Sequence, residues 1–143
     1  MDEVIVNDGP DDRCFGCGHQ NEHGLKLRFR VTENREVEAE YTAPEAFCGA
    51  PGVVHGGIQA ALLDEVLGIA AHVGDPAEDV DIATVDFRLR FRRPTPANAP
   101  LMVRGRLMRV EGRDYFVNGE IVASDGEILT RAEARWRRID GRK

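Results

Sequence analysis

The stretch IQAALLDEVLGIAAH, from Ile58 to about His72, constrains the fold of this chain more than any other. Its apolar residues recur at helical spacing and cover nearly the whole circumference, so it predicts a helix that belongs inside something. Just before it, PGVVHGG supplies Gly52, His55, Gly56 and Gly57, which puts the helix start at Gly56 or Gly57. Residues 43–56 hold Pro44, Pro51 and further glycines and are expected to form a loop.

The remaining segments read as strands. LKLRFRV (25–31) and REVEAEYT (35–42) alternate apolar with polar residues, with a short turn at Thr32–Asn34. TVDFRLRF (84–91) alternates strictly, placing Val85, Phe87, Leu89 and Phe91 on one face and Asp86, Arg88 and Arg90 on the other. Residues 101–110, 115–124 and 127–137 follow, joined by Glu111–Asp114 and by Asp125-Gly126, a tight-hairpin signal. A loop is expected at Asp75–Asp81. The fold class is therefore α+β: two strands, one buried helix and four antiparallel strands, with a curved sheet wrapped around one long central helix. Such a sheet leaves edges and one flank of the helix to cover, so a homodimer or homotetramer is expected.

With 143 residues, 42% hydrophobic and 31% charged, the chain suits one globular domain rather than a disordered one. A net charge of −6 argues against a nucleic-acid partner, and no segment approaches the roughly 18 apolar residues of a membrane span. The acidic N-terminus has no signal-peptide core, so a cytoplasmic location is the default and residues 1–12 are expected to be solvated. The expected division is a leader (1–24), a folded domain (25–138) and a tail (139–143).

The chemistry concentrates in the central stretch. A helix N-terminus offers unpaired N–H groups and a positive dipole end, and glycine lets a ligand oxygen come close. Gly56 and Gly57 can serve an anionic oxygen in this way, or merely shape a loop; spacing leaves both readings open. Asp64 and Glu65 lie two turns further on and point about 100° apart. One can sit in solvent or pair with an arginine, which leaves the other facing apolar surroundings, where an unpaired carboxylate is costly. That acid is either a base or nucleophile, or a structural group at a buried pair or wet subunit interface.

The stretch PGVVHGGIQAALLDEVLGIAA resembles the signature of the PaaI-like hotdog-fold thioesterases, in which an acid follows the His-Gly-Gly histidine by nine residues. His55 and Asp64 keep that interval. TVDFRLRFRRPTP is similar to the family's Thr-strand-Arg-Pro segment, and CFGCGHQNEHGLKLRF resembles a leader found in many bacterial members. Together these cover nearly the whole chain. The resemblance implies a single hotdog domain that hydrolyses acyl-CoA or aryl-CoA thioesters with no cofactor. It implies that the Gly56 N–H polarises the carbonyl, and that Asp64 from the partner subunit acts as base or nucleophile. Thr84 would hold the water or orient Asp64, and His55 would position the loop or thioester. Gly57 and Gly49 would border the substrate. Several relatives carry Asn or Gln where this chain has Gly49, so that side-chain donor is missing here. A non-catalytic acyl-CoA binding protein on the same fold is the alternative; a dehydratase would need a close Asp–His pair, which this spacing does not provide.

Arg88, Arg90, Arg92 and Arg93 form either a solvated outer face or a landing site for the phosphates of coenzyme A, which Arg90, Arg92 and Arg93 would provide. Cys14 and Cys17 form a C-x-x-C with His19, His23 and Cys48 as further potential ligands, but the second cysteine pair of a zinc ribbon is missing. Packing of the leader is the favoured reading, and no metal is assigned. Glu65 and His72 read as cap or interface groups, and Trp136 as a packing residue.

Overall fold

Eight residues before Asp64, the chain turns into a helix that sets the whole arrangement. The computed structural model describes residues 3–75 and 81–139. In it α1 spans Gly56–Gly74 and buries Leu62, Leu63, Val66, Leu67, Ala70 and Ala71 completely. Burying a leucine or valine side chain stabilises by about 1.5–3 kcal/mol, so this stripe, packed against the buried strand residues, contributes substantially to cohesion.

Among the described residues seven strands form the sheet around the helix: β1 (Glu3–Ile5), β2 (Phe29–Val31), β3 (Val37–Tyr41), β4 (Ile82–Phe91), β5 (Leu101–Glu111), β6 (Asp114–Ala123) and β7 (Ile128–Arg138). Their order is β1-β2-β3-β5-β6-β7-β4, antiparallel throughout, so the α+β class with a sheet around one long helix stands as expected. The helix comes closest at the middle of the sheet, where Gly105 and Gly119 face each other across β5 and β6. A Cβ on Gly119 would lie 2.3 Å from the Arg104 carbonyl oxygen and 2.8 Å from Leu67 Cδ2. The notch is what lets Leu67 seat against the backbone. On another flank Gly68 lies under Trp136, whose ring carbon Cη2 would be 2.6 Å from an added Cβ. Trp136 is thus a packing residue, as expected.

The turns follow the sequence signals. Arg35 N–H bonds the Thr32 carbonyl at 3.0 Å, and Asp125-Gly126 turns with Gly126 at φ 92°, a region open mainly to glycine. The expected loop 43–56 includes a short 3-10 turn, Glu45–Phe47. The loop expected at Asp75–Asp81 lies, for residues 76–80, outside the described residues, as do 140–143 of the tail. Among the described residues no helix is long and apolar enough to cross a membrane.

Three segments depart from expectation. Residues 3–5 of the acidic N-terminus, largely exposed as expected, form an unexpected strand, β1, on the edge of β2, where Arg35 bonds Glu3 at 2.9 Å. The strand expected at 25–31 is ladder-paired only from Phe29. Leu25 and Leu27 are buried as their alternation required, but their N–H groups bond Phe15 and Gly16 of the leader at 2.7 and 3.0 Å. Burial follows the apolar pattern here, while the hydrogen-bond partner is set by what lies alongside. Thirdly, β4 does not keep strict alternation. A bulge between Thr84 and Asp86 throws Val85 outward, 46% exposed, and Phe91 is 54% exposed.

Gly119→Ala is expected to destabilise the fold by about 1–3 kcal/mol, because neither the Arg104 backbone nor Leu67 has room to retreat. Urea unfolding measures this as a lowered midpoint; an unchanged midpoint would contradict so close an approach of helix and sheet.

Candidate active site

The start of α1 is built from its own loop. His55 is the N-cap, and its Nδ1 accepts the Gly57 N–H at 2.9 Å. The His55 carbonyl accepts from Ile58 and Gln59 at 3.0 and 3.1 Å. His55 therefore orders the loop through its ring and backbone. With those donors taken, Gly56 N–H has no acceptor among the described residues, and it sits at the positive end of a 19-residue helix. Gly49 packs beside the His55 ring, with room for a Cβ at 3.6 Å, and its N–H bonds the Val53 carbonyl. The Phe91 ring stands at 3.5 Å from where a Gly56 Cβ would be.

Sequence reading missed the group that holds this loop in place. Gln59 is buried on the first turn and donates to the Val54 carbonyl at 3.0 Å. Its Oε1 accepts from Thr95 and Thr130 hydroxyls at 3.1 and 2.6 Å. These bonds tie the helix start to β7 and to the segment after β4. The signal was available: an uncharged polar residue inside an otherwise apolar helix must find partners.

Asp64 is the half-buried acid of the pair, and Thr84 Oγ1 donates to its Oδ1 at 2.7 Å. Strict alternation would have put Thr84 on the face of Asp86, Arg88 and Arg90. The bulge at Val85 inserts one extra residue, so Thr84 pairs with Trp136 and shares the helix-facing side with Phe87. Burial pushes the Asp64 carboxyl above the usual carboxylate range; the Thr84 hydrogen bond pulls it partly back and the Glu65 charge adds to the rise. Such a group holds its proton to higher pH than a free carboxylate and is the more basic for it.

Glu65, expected as a cap or interface group, instead meets the leader. Cys14 Sγ donates to Glu65 Oε1 at 3.4 Å, and Gly16 lies directly beneath the carboxylate. Cys17 is buried, and burial, followed by the hydrogen bond to Glu65, raises its thiol well above the ordinary range. His19 is turned to the Leu27 carbonyl at 3.3 Å, and Cys48 belongs to the loop before α1.

The structure brings Asp64 to Thr84 and His55 to Gly49 and Gly57, but it does not bring Gly56 to Asp64. Eight residues at 1.5 Å rise separate them by about 12 Å along one helix, too far for a single carbonyl to touch both. Arg90, Arg92 and Arg93 are exposed. Arg90 lies opposite Arg131 on the sheet, whereas Arg92 and Arg93 follow β4 and lead to Thr95, whose carbonyl accepts the Val54 N–H beside the helix start. Two clefts of about 440 and 430 Å³ lie on the sheet, one lined by Lys26, Phe29 and Arg30, the other by Arg88, Phe116 and Arg135. Neither includes His55, Gly56 or Asp64.

Asp64→Asn is expected to raise the melting temperature at pH 7. A carboxyl whose pKa is higher folded than unfolded contributes its full stability below the unfolded value and loses it as pH rises through the folded one. The amide escapes that loss, so the gain should vanish in acid. Calorimetry across pH checks it; a gain that persists at low pH would refute the assignment.

Residues 51–130 match the family model described as the thioesterase superfamily. Acyl-coenzyme A thioesterase THEM4 of Rattus norvegicus is 31% identical over 93 residues, which are 64% of this chain and 38% of that protein. The chain spans about two fifths of the length of the curated relatives it matches. Among solved structures, a thioesterase superfamily protein superposes with TM-score 0.81 at 32% identity, covering 88% of this chain and 60% of the other. A phenylacetic acid degradation-related protein of Ralstonia eutropha JMP134 superposes with TM-score 0.70 at 29% identity, over 79% of this chain and 85% of its own. The match over more than half of the sequence and the shared architecture agree: the chain belongs to the thioesterase superfamily, among its PaaI-like hotdog proteins.

Proposed function

We propose that this protein hydrolyses acyl-CoA thioesters at sites shared between two copies of the chain. The observation that carries the reading is the division of the two reactive features along one helix, with β4 linking them. Thr84, beside Asp64, lies near the start of β4, and Phe91, beside Gly56, ends it. The other edge of β4 carries no strand among the described residues. Antiparallel pairing of two β4 edges, centred between Phe87 and Arg88, sets Thr84 of one copy against Phe91 of the other. The same two-fold brings the partner's Asp64 toward Gly56.

The chemistry then follows from the groups. The thioester carbonyl oxygen accepts from the Gly56 N–H, and the helix dipole stabilises the negative charge that develops on that oxygen. The partner's Asp64 takes a proton from water as the water attacks the carbonyl carbon. Thr84 holds Oδ1, which leaves Oδ2 free for the water. The tetrahedral intermediate expels the CoA thiolate and leaves the free acid. Gly49 and Gly57 border the carbonyl, and Gly49 adds no side-chain donor to it. Arg92 and Arg93, with Arg90 on the adjoining strand, offer forked donors for CoA phosphates. The similarity to a protein named as an acyl-coenzyme A thioesterase supports the substrate class.

Gly56→Pro tests the donor cleanly. Gly56 is the first helical residue, where proline fits, and His55 already holds the extended φ −56°, ψ 138° that a following proline favours. It should lower kcat by about 10²–10³ without unfolding the helix. Asp64→Asn should lower kcat by about 10²–10⁴. Mixed and refolded together, the two inactive variants should recover about a quarter of wild-type activity, because half of the dimers carry one intact site. No recovery would refute the shared site. Binding of acyl-CoA with no turnover by the wild type on any acyl-CoA would instead identify a binding protein. Single turnover in ¹⁸O-water that labels Asp64 rather than the product would make Asp64 the nucleophile.

Thr84→Val removes the bond that lowers the Asp64 pKa, so the acidic limb of kcat/KM should move to higher pH. A limb that stays in place would separate Asp64 from the titration.

A further inference from the structure

The leader carries a group of side chains that the thioesterase reading leaves unused. Cys14 Sγ, Cys17 Sγ and a Glu65 carboxylate oxygen all lie within 4.8 Å of one another. They come from two parts of the chain 48 residues or more apart, and the contact is shaped for all three. The C-x-x-C turn is closed by Gly18 N–H to the Cys14 carbonyl at 2.9 Å. It is fastened on its far side by the Leu25 and Leu27 N–H groups on the Phe15 and Gly16 carbonyls. Any side chain at position 16 would run into Glu65, since a Cβ there would lie 2.6 Å from its carboxyl carbon. The glycine is what lets the carboxylate seat over the turn. Asn7 Nδ2 donates to Cys17 Sγ at 3.1 Å, and Asn7 is itself held by His19 N–H on its carbonyl at 2.8 Å.

We propose that Cys14, Cys17 and Glu65 form a binding site for a thiophilic divalent cation of the zinc type, which fastens the leader to α1. Tetrahedral zinc with sulfur at about 2.3 Å and oxygen at about 2.1 Å has ligand–ligand edges of about 3.6–3.8 Å. The Cys14–Glu65 separation of 3.4 Å is already of that size, and the 4.8 Å limit on the others leaves about 1 Å to close. Two thiolates and one carboxylate favour zinc over magnesium or calcium, which take oxygen ligands. The amide N–H on Cys17 supplies the outer bond that a coordinating sulfur commonly accepts. Cys14 is exposed, so the fourth position opens to solvent and water completes the shell. Binding releases the two thiol protons to solvent and changes no oxidation state. Neither His19 nor His23 belongs to the group, which is why zinc-ribbon spacing in the sequence did not reveal it. Its third ligand comes from the helix.

Cobalt(II) titration of the reduced, tag-free full-length protein tests this without reference to activity. The expected result is thiolate-to-cobalt charge-transfer absorption with tetrahedral visible bands, saturating at one ion per chain and displaced by zinc. Cys14→Ser should abolish the charge-transfer band while circular dichroism stays native, because residue 14 is exposed. Cys48→Ser should leave the band intact. Glu65→Gln should weaken binding by about tenfold or more. Zinc should raise the melting temperature of the wild type but not of Cys14→Ser. A folded wild type that gives no charge-transfer band overturns the proposal. So does a band that survives Cys14→Ser or disappears with Cys48→Ser.

Discussion

The rest of the molecule is arranged around a helix whose apolar side packs on the curved sheet. Where α1 meets the sheet and the leader, its polar groups must be satisfied individually, and Gln59, Glu65 and Asp64 differ in how. Gln59 is held by two threonine hydroxyls and a backbone carbonyl, and it holds the loop that ends in His55. Glu65 lies under the cysteine turn. Asp64 receives one hydrogen bond, from Thr84, among the described residues. Burial raises the proton affinity of Asp64, which is why the proposed hydrolysis gives it the role of base.

The bulge at Val85 makes that placement possible. One inserted residue reverses which face Thr84 presents, so a side chain that alternation assigns to solvent reaches the helix instead. The same strand is the edge of the sheet and runs from the Asp64 end of the helix toward its N-terminus. The feature that positions the threonine thus lies on the edge strand through which the proposed pairing of two copies runs. The glycine pair at Gly105 and Gly119 serves the opposite need, a rigid close contact with Leu67 that fixes the helix relative to the sheet.

Much of this was legible in the linear pattern. The all-round apolar run announced an enclosed helix, and period-two alternation located the strands that enclose it. Spacing left the two adjacent acids undivided, and only the resemblance to the PaaI-like signature, through the interval from His55 to Asp64, favoured one of them. What was not legible had a common cause. Alternation says which side chains are buried but not which backbone answers them, so Leu25 and Leu27 were rightly buried yet paired with the leader rather than a strand. Residues 3–5 stay largely exposed as expected, but their pairing with β2 went unread for the same reason, since an exposed acidic segment can still add to a free edge.

Sequence alone determined that one helix would be interior, that its N-terminus would be glycine-rich and begin directly after His55, and that an acid would lie two turns along it. These are local consequences of periodicity and spacing, readable wherever apolar burial dominates. Tertiary structure alone decided that a bulge at Val85 carries Thr84 to the helix-facing side, that Glu65 meets Cys14 and Cys17, and that Phe91 borders Gly56. Each depends on a register shift or a contact between segments distant in sequence, and such contacts are set by how the whole chain packs.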